Sequence, residues 1–191
     1  ERAFSVCYSL KSITIPASVR TIDKLVFESC SSLYTINVSS ANPVYASYNG
    51  VLFDKNLTEV VFCPQTRGNL TFPDTVSRIG DWAFYQNTAI RAAILPEGIT
   101  YIGAYAFQWN SKLSAVRIPE SCTRIGAYAF GYCHSLKAAY IPKNAQNYTG
   151  YAFDGCTGLL SLQFEEGTTK IGDSFAAGCK NLKYLYIPAK I

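Results

Sequence analysis

The residue types best able to do chemistry in this chain are seven cysteines and a single histidine, so their spacing decides which reactions are open. One histidine excludes a multi-histidine metal site, and any nucleophile–imidazole pair would have to use His134. His134 directly follows Cys133, which invites a thiol–imidazole reading. Neighbouring residues in an extended turn point apart, however, so the pair reads as a structural cysteine beside a surface histidine. No Cys-x-x-Cys spacing supports zinc. Glu165-Glu166 and Asp173 fall at turn positions, where solvated carboxylates are ordinary. No catalytic residue, metal site or cofactor is expected, and the chain reads as a non-enzyme.

Five of the cysteines have a different explanation, because they keep a 23-residue interval. Cys7, Cys30, Cys133, Cys156 and Cys179 share one repeat column with Asn87 and Asn110. Three residues before the column stand Phe4, Phe27, Phe84, Phe107, Phe130 and Phe153, most of them preceded by Ala. Three residues after it come Leu10, Leu33, Ile90, Leu113, Leu136, Leu159 and Leu182. Apolar-Pro pairs recur at Pro16, Pro73, Pro96, Pro119, Pro142 and Pro188, and Ile-Gly at Ile79, Ile102, Ile125 and Ile171. A column that accepts Cys or Asn needs a small side chain that hydrogen-bonds loop backbone. Adjacent strands lie ~4.8 Å apart, close enough for a disulfide. But Cys133, Cys156 and Cys179 form a run of three, which cannot pair internally without a remainder, so buried free thiols are expected. Cys122 shares the apolar column of Val19, Val76 and Ile99 and reads as core; Cys63 is less determined.

A unit this short cannot bury its own apolar face, so identical units must stack to make a continuous core. Leu113-x-x-Val116-x-Ile118 alternates as a strand does, with Val116 and Ile118 inward and Ala115 and Arg117 outward. Pro119, lacking an N–H, ends the strand. The Ile-Gly turn and Ala-Phe segment should return the chain along the other side as a short helical turn, with the Phe column as a buried spine. One stretch breaks the rhythm: 57 residues separate Phe27 from Phe84, two periods plus 11. Within it, Val51-Leu52-Phe53 and Val60-Val61-Phe62 flank Asp54-Lys55-Asn56 and predict a β-hairpin inserted near 43–66, the register resuming at Leu70-Thr71-Phe72-Pro73. Tyr148-Thr149 replaces Ile-Gly in a degenerate sixth repeat, and Phe175 has slipped one place, leaving Ala176 in the Phe column.

The run Ile125-Gly126-Ala127-Tyr128-Ala129-Phe130-x-x-Cys133-x-x-Leu136 with Ile141-Pro142, and the Asn42-Pro43-x-Tyr45 to Phe53 element, resemble the BspA-like leucine-rich repeats. The resemblance covers essentially the whole chain. It implies an α/β solenoid: a right-handed superhelix with a concave parallel β-sheet, short helical or irregular convex segments, and one inserted β-hairpin. Residues 1–191 would form a single domain of about eight repeats, belonging to a longer array because no polar cap is visible at either terminus. Proteins of this kind are exposed at bacterial and protist cell surfaces, where several act in adhesion. They share no catalytic motif to carry over.

Composition agrees with a packed domain: 49% apolar, 16% charged, net charge +4 without a run of Lys and Arg, and no apolar stretch near the ~20 residues that span a bilayer. No nucleic-acid partner and no membrane insertion within this segment are expected. The opening Glu1-Arg2-Ala3-Phe4 reads as folded sequence rather than a signal peptide. Function should lie where the repeat leaves residues free. One outward strand column reads Thr14, Asn37, Thr71, Ile94, Arg117, Tyr140, Gln163, Tyr186, and its neighbour Ser12, Thr35, Asn69, Ala92, Ala115, Ala138, Ser161, Tyr184. Ile94, Arg117, Tyr140, Gln163, Tyr184 and Tyr186 are the candidate binding residues for an extracellular protein or glycan; a spacer role in a larger surface protein is the alternative. A second aromatic column, Trp82, Tyr105, Tyr128 and Tyr151, should pack on the convex side. Asn-x-Ser/Thr sequons at Asn37, Asn56, Asn69 and Asn147 matter only in a eukaryotic secretory pathway.

Overall fold

The alternation at the end of each repeat produces a short parallel strand, and its repetition every 23 residues produces a stack of strands. The structure is a computed structural model that describes residues 2–65 and 71–189. On the first face lie β1 (Ser12–Ile15) and β2 (Thr35–Val38). After the insertion the face continues with β7 (Ala92–Ile94), β9 (Ala115–Arg117), β11 (Ala138–Ile141), β13 (Ser161–Phe164) and β14 (Tyr184–Tyr186). Parallel ladders join β1 to β2, β7 to β9, and β11 to β13 to β14, each pairing residues one repeat apart. The second face is built from β6 (Arg78–Ile79), β8 (Tyr101–Ile102), β10 (Arg124–Ile125) and β12 (Asn147–Tyr148), again parallel and in register. The Ile-Gly pairs thus form a ladder of their own.

The insertion is a three-stranded meander. Strands β4 (Val51–Asp54) and β5 (Glu59–Phe62) pair antiparallel across the polar turn, and β3 (Tyr45–Tyr48) adds a third strand through the left-handed Asn49-Gly50 turn. The Asp54 carboxylate accepts the Thr58 and Glu59 amides at 2.6 and 2.8 Å, fixing the β4–β5 turn. Strand β5 then pairs parallel with β6, so the meander extends the second face. Strand β4 is buried on both sides: Leu52 joins a core with Ile15, Phe27, Leu33 and Ile36, while Val51 and Phe53 join the larger core that follows. That is why Val51-Leu52-Phe53 is a continuous apolar run. The resumption at Leu70, like the outward position and sequon at Asn69, lies outside the described residues.

The expected helical turns are not there: among the described residues no helix forms. Each Ala-Phe segment is a chain of tight turns holding two left-handed residues four apart. One column has positive φ at Trp82, Tyr105, Tyr128 and Tyr151, the other at Gln86, Trp109, Tyr132, Gly155 and Gly178. A left-handed residue stops helix propagation and costs about 1 kcal/mol for a bulky side chain. The amides divide their hydrogen bonds alternately. Ala83, Tyr85 and Asn87 donate within the turn, three residues back, while Trp82, Phe84 and Gln86 donate to the Ala104, Ala106 and Gln108 carbonyls of the next turn. The fold is therefore a solenoid of strands and turns, not an α/β one.

The Phe spine forms as expected from Phe27 onward, whereas Phe4 at its start is 42% exposed. Phe84, Phe107, Phe130 and Phe153 are fully buried and stack at 4.6, 5.2 and 5.0 Å with nearly parallel rings. Phe175 fills the next place from one position early, tilted on Phe153 at 5.4 Å and edge-on to Tyr148 at 4.8 Å. Glycine is demanded where turns approach most closely: a Cβ on Gly126 would lie 2.3 Å from the Ala104 nitrogen and 2.6 Å from the Gly103 carbonyl carbon. Phe107→Ala should lower the unfolding free energy by about 3–5 kcal/mol, and Gly126→Ala by at least about 2 kcal/mol, in urea unfolding followed by circular dichroism. A Phe107→Ala loss below about 1 kcal/mol would mean that the ring is not part of a packed spine.

Candidate binding face

The first face exposes what the repeat does not need. Thr14, Asn37, Thr71, Ile94, Arg117, Tyr140, Gln163 and Tyr186 are all exposed, and the ladders hold Ile94 beside Arg117 and Tyr140 beside Gln163 beside Tyr186. The neighbouring row is small except at its end: Ala92, Ala115 and Ala138 are exposed, Ser161 is half-buried, and Tyr184 is 69% exposed. Ile94, at 68%, is nearly as open. Between the rows is a shallow depression of about 310 Å³ lined by Ala115, Val116, Ala138, Tyr140, Ser161 and Gln163, among others. Arg117 reaches Glu97 at 2.7 Å, and the Tyr186 hydroxyl donates to Glu166. That bond raises the Tyr186 phenol above its ordinary range, and partial desolvation raises Tyr140. Both stay neutral donors at physiological pH. The six candidate residues thus lie on one face, spread over five successive turns.

The cysteine column turns inward. Cys30, Cys133, Cys156 and Cys179 donate their thiols to the carbonyls of Phe4, Phe107, Phe130 and Phe153, each 26 residues back, at 3.0–3.2 Å. Asn110 makes the same bond with its amide, to the Phe84 carbonyl at 2.7 Å, and Asn87 bonds the Pro64 carbonyl at 2.8 Å. Cys or Asn is tolerated because either reaches that acceptor. Cys133 therefore points away from His134, which is exposed, with Nδ1 3.1 Å from the Thr157 hydroxyl. No thiol–imidazole pair exists at this position. Among the described residues no group of three or more His, Cys, Asp or Glu side chains could hold a metal ion.

Two constellations lie outside the candidate residues. Trp109 and Tyr132 stack at 4.3 Å, with His134 edge-on to both rings. Their shared column, two places after Phe, was a signal available in the sequence. The second lies where the meander meets the repeats. Asp81 receives hydrogen bonds from Lys24, the Tyr101 hydroxyl and the Ala104 amide, while the Arg78 guanidinium lies 4.2 Å over the Tyr101 ring and pairs with Glu59. Burial alone would raise the Asp81 carboxyl, but these bonds outweigh it and hold it low. The charges are mutually satisfied, which makes this a joint between two parts of the fold. The expected convex column is a continuous stack: Trp82 on Tyr105 at 4.2 Å, Tyr105 on Tyr128 at 5.5 Å, and Tyr128 on Tyr151 at 5.0 Å.

A family profile described as "BspA type Leucine rich repeat region" matches in six copies, over residues 1–68 and 55–183. Among solved structures, the chain is similar to the pneumococcal vaccine antigen PcpA, at 26% identity and TM-score 0.81 over 94% of this chain and 43% of that one. It is similar to a leucine rich cell surface protein from Faecalibacterium prausnitzii A2-165, at 27% identity and TM-score 0.82 over 93% and 48%. A leucine-rich repeat protein from Eubacterium ventriosum ATCC 27560 matches at 26% identity and TM-score 0.65 over 93% and 42%. The chain spans less than half the length of each of these relatives. No curated protein matches it in sequence.

The inward thiols generate a direct test. Burial pushes Cys122 up to about 11; hydrogen bonding to Cys133 raises Cys156, hydrogen bonding to Cys156 raises Cys179, and burial adds to both. In folded protein near neutral pH, Cys122 and Cys156 should resist a thiol-exchange reagent because the thiolate is the reactive form, and Cys133 because it is fully buried. Unfolding without reductant should then release all seven thiols. Fewer than seven would mean a disulfide between turns.

Proposed function

The chain belongs to the BspA-type leucine-rich-repeat family, and from that premise we propose that it is a non-catalytic binding module of a surface-displayed protein, engaging an extracellular protein or glycan through its first, concave face. The observation that carries this reading is the row of large side chains left in solvent at Ile94, Tyr140, Tyr184 and Tyr186. Nothing in the repeat requires bulk there, since Thr14, Asn37 and Gln163 share the column of Ile94, Tyr140 and Tyr186, and Ser12, Ala115 and Ser161 share that of Tyr184. Aromatic rings with hydroxyl tips offer contact area and a hydrogen bond at little entropic cost. Arg117 and Gln163 supply polar contacts in the same row, and the alanines between leave room for a ligand to reach the sheet. Surface display is supported by the cell-surface relative from F. prausnitzii. Among the described residues no helix is long and apolar enough to cross a membrane.

The reading is tested by replacing Tyr140, Tyr184 and Tyr186 together with Ser. Because these side chains are exposed, circular dichroism should not change. Binding to immobilised extracellular-matrix proteins and host glycans should weaken by at least about tenfold, as expected when central aromatic contacts are removed. Binding and attachment that persist undiminished in the triple variant would assign the segment a spacer role instead.

A further inference from the structure

The loops that lead into the first-face strands carry cations and no acids. Segments 87–94, 110–117, 133–140, 156–163 and 179–186 contain no Asp or Glu, yet they hold Arg91, Lys112, Arg117, Lys137, Lys180 and Lys183, all exposed. The loops that leave the same strands carry Glu97, Glu120, Glu165 and Glu166, with Lys143 paired to Glu165. The sheet is therefore basic along its leading edge and acidic along its trailing edge. Every ion pair of the first-face loops involves the trailing edge: Arg117 with Glu97 and Lys143 with Glu165. Among the described residues, Arg91, Lys112, Lys137, Lys180 and Lys183 make no ion pair and no side-chain hydrogen bond. Their charge is left for a partner.

Their arrangement limits what that partner is. Arg91, Lys137 and Lys183 share one column on alternate turns, with Ser114 and Leu160 between them. At ~4.8 Å per turn, successive cations in this column stand about 10 Å apart, near the Debye length at physiological ionic strength. A nucleic-acid strand carries a phosphate about every 3.4 Å and would leave most of them unmet. An extended acidic peptide, at about 3.3 Å per residue, would need an acid at every third position and would lose chain entropy on ordering. A polysaccharide with an anionic group recurring at intervals of whole sugar units suits such widely spaced cations. Hydroxyl and amide groups at Ser111, Ser114, Ser135, Thr157 and Asn181 line the same edge. The Trp109–Tyr132 stack borders it through His134, and Trp109 is 40% exposed, giving an apolar surface on which a sugar ring can lie.

We propose that the leading edge is a binding site for an anionic polysaccharide, carrying carboxylate or sulfate groups, that runs along the stack of turns. Ser114 and Lys137 also border the depression beside Tyr140, but none of the concave tyrosines supplies the charge that holds the polysaccharide, so replacing those rings tests the two sites separately.

The test measures binding to heparin as the sulfated probe, with hyaluronate as a carboxylate-only probe, polyglutamate as an acidic peptide and oligothymidylate as a nucleic acid. One variant combines Arg91→Gln, Lys137→Gln and Lys183→Gln. A second removes the same net charge elsewhere, as Arg20→Gln, Lys55→Gln and Lys170→Gln. The wild-type chain should bind heparin in a salt-dependent way, with hyaluronate binding too if carboxylates suffice and heparin alone binding if sulfate is required. The edge variant should lose at least about tenfold in affinity and reduce the salt slope by about 2–3, while the second variant changes less than about twofold. The Tyr140, Tyr184 and Tyr186 triple variant should bind heparin as the wild type does. Equal weakening in both charge variants would reduce the effect to net charge and overturn the proposal. So would failure to bind either polysaccharide, or binding to polyglutamate or oligothymidylate as tight as to heparin.

Discussion

Backbone hydrogen bonds between successive turns hold the stack at a single spacing, and every repeated feature of the molecule has to fit it. On the first face the strand ladders set that spacing; on the convex side alternate amides, such as those of Phe84 and Phe107, reach the next turn at 2.7 Å. Flat rings fit between turns at this separation, so the Phe spine and the Trp82–Tyr151 column both stack face to face. A thiol or a short amide spans from one turn to the preceding Phe carbonyl, which fixes the Cys and Asn column. A Cβ does not fit between Gly126 and Gly103, which explains the glycines after Ile. The left-handed aromatics belong to the same account, since the strain of their positive φ is offset by inter-turn hydrogen bonds and ring contacts.

The same constraint decides where function can reside. A residue whose side chain faces a neighbouring turn is committed to packing, and the repeat dictates its size. Freedom remains only for side chains that point away from the stack or sit in loops at the rim of the sheet. Tyr140, Tyr184, Tyr186 and Ile94 are of the first kind, and Arg91, Lys137 and Lys183 of the second. Because each turn advances such a residue by one rung, any ligand that uses several of them must extend along the stack. The molecule's chemistry is spread along a surface.

Much of this was legible in the sequence because a repeat shows one position many times over. The thiol-to-carbonyl bond could be anticipated from Asn87 and Asn110 standing among cysteines, and the outward columns from the alternation around Val116. What could not be read has specific physical reasons. The left-handed turns of the convex side are carried by Trp82, Tyr105, Gln86 and Trp109, not by the glycine or asparagine that usually signals them; only Gly155 and Gly178 hint at the geometry. Strand β3 is a half-polar Tyr-Ala-Ser-Tyr that gains its place from pairing with β4 rather than from its own pattern. The basic edge was invisible as a cluster because Arg91, Lys137 and Lys183 are separated by two whole repeats in sequence and become neighbours only through stacking.

The claim on which the rest stands is that the convex turns are bound to one another by backbone hydrogen bonds although they form no regular helix or strand. Native-state hydrogen exchange at individual amides reads this directly. The Phe84, Phe107, Phe130 and Phe153 amides, which donate to the next turn at 2.7–2.8 Å, should be protected as strongly as the amides within the β11–β13 ladder. Exchange of those four amides at the rate of an unstructured chain, while the ladder stays protected, would contradict it.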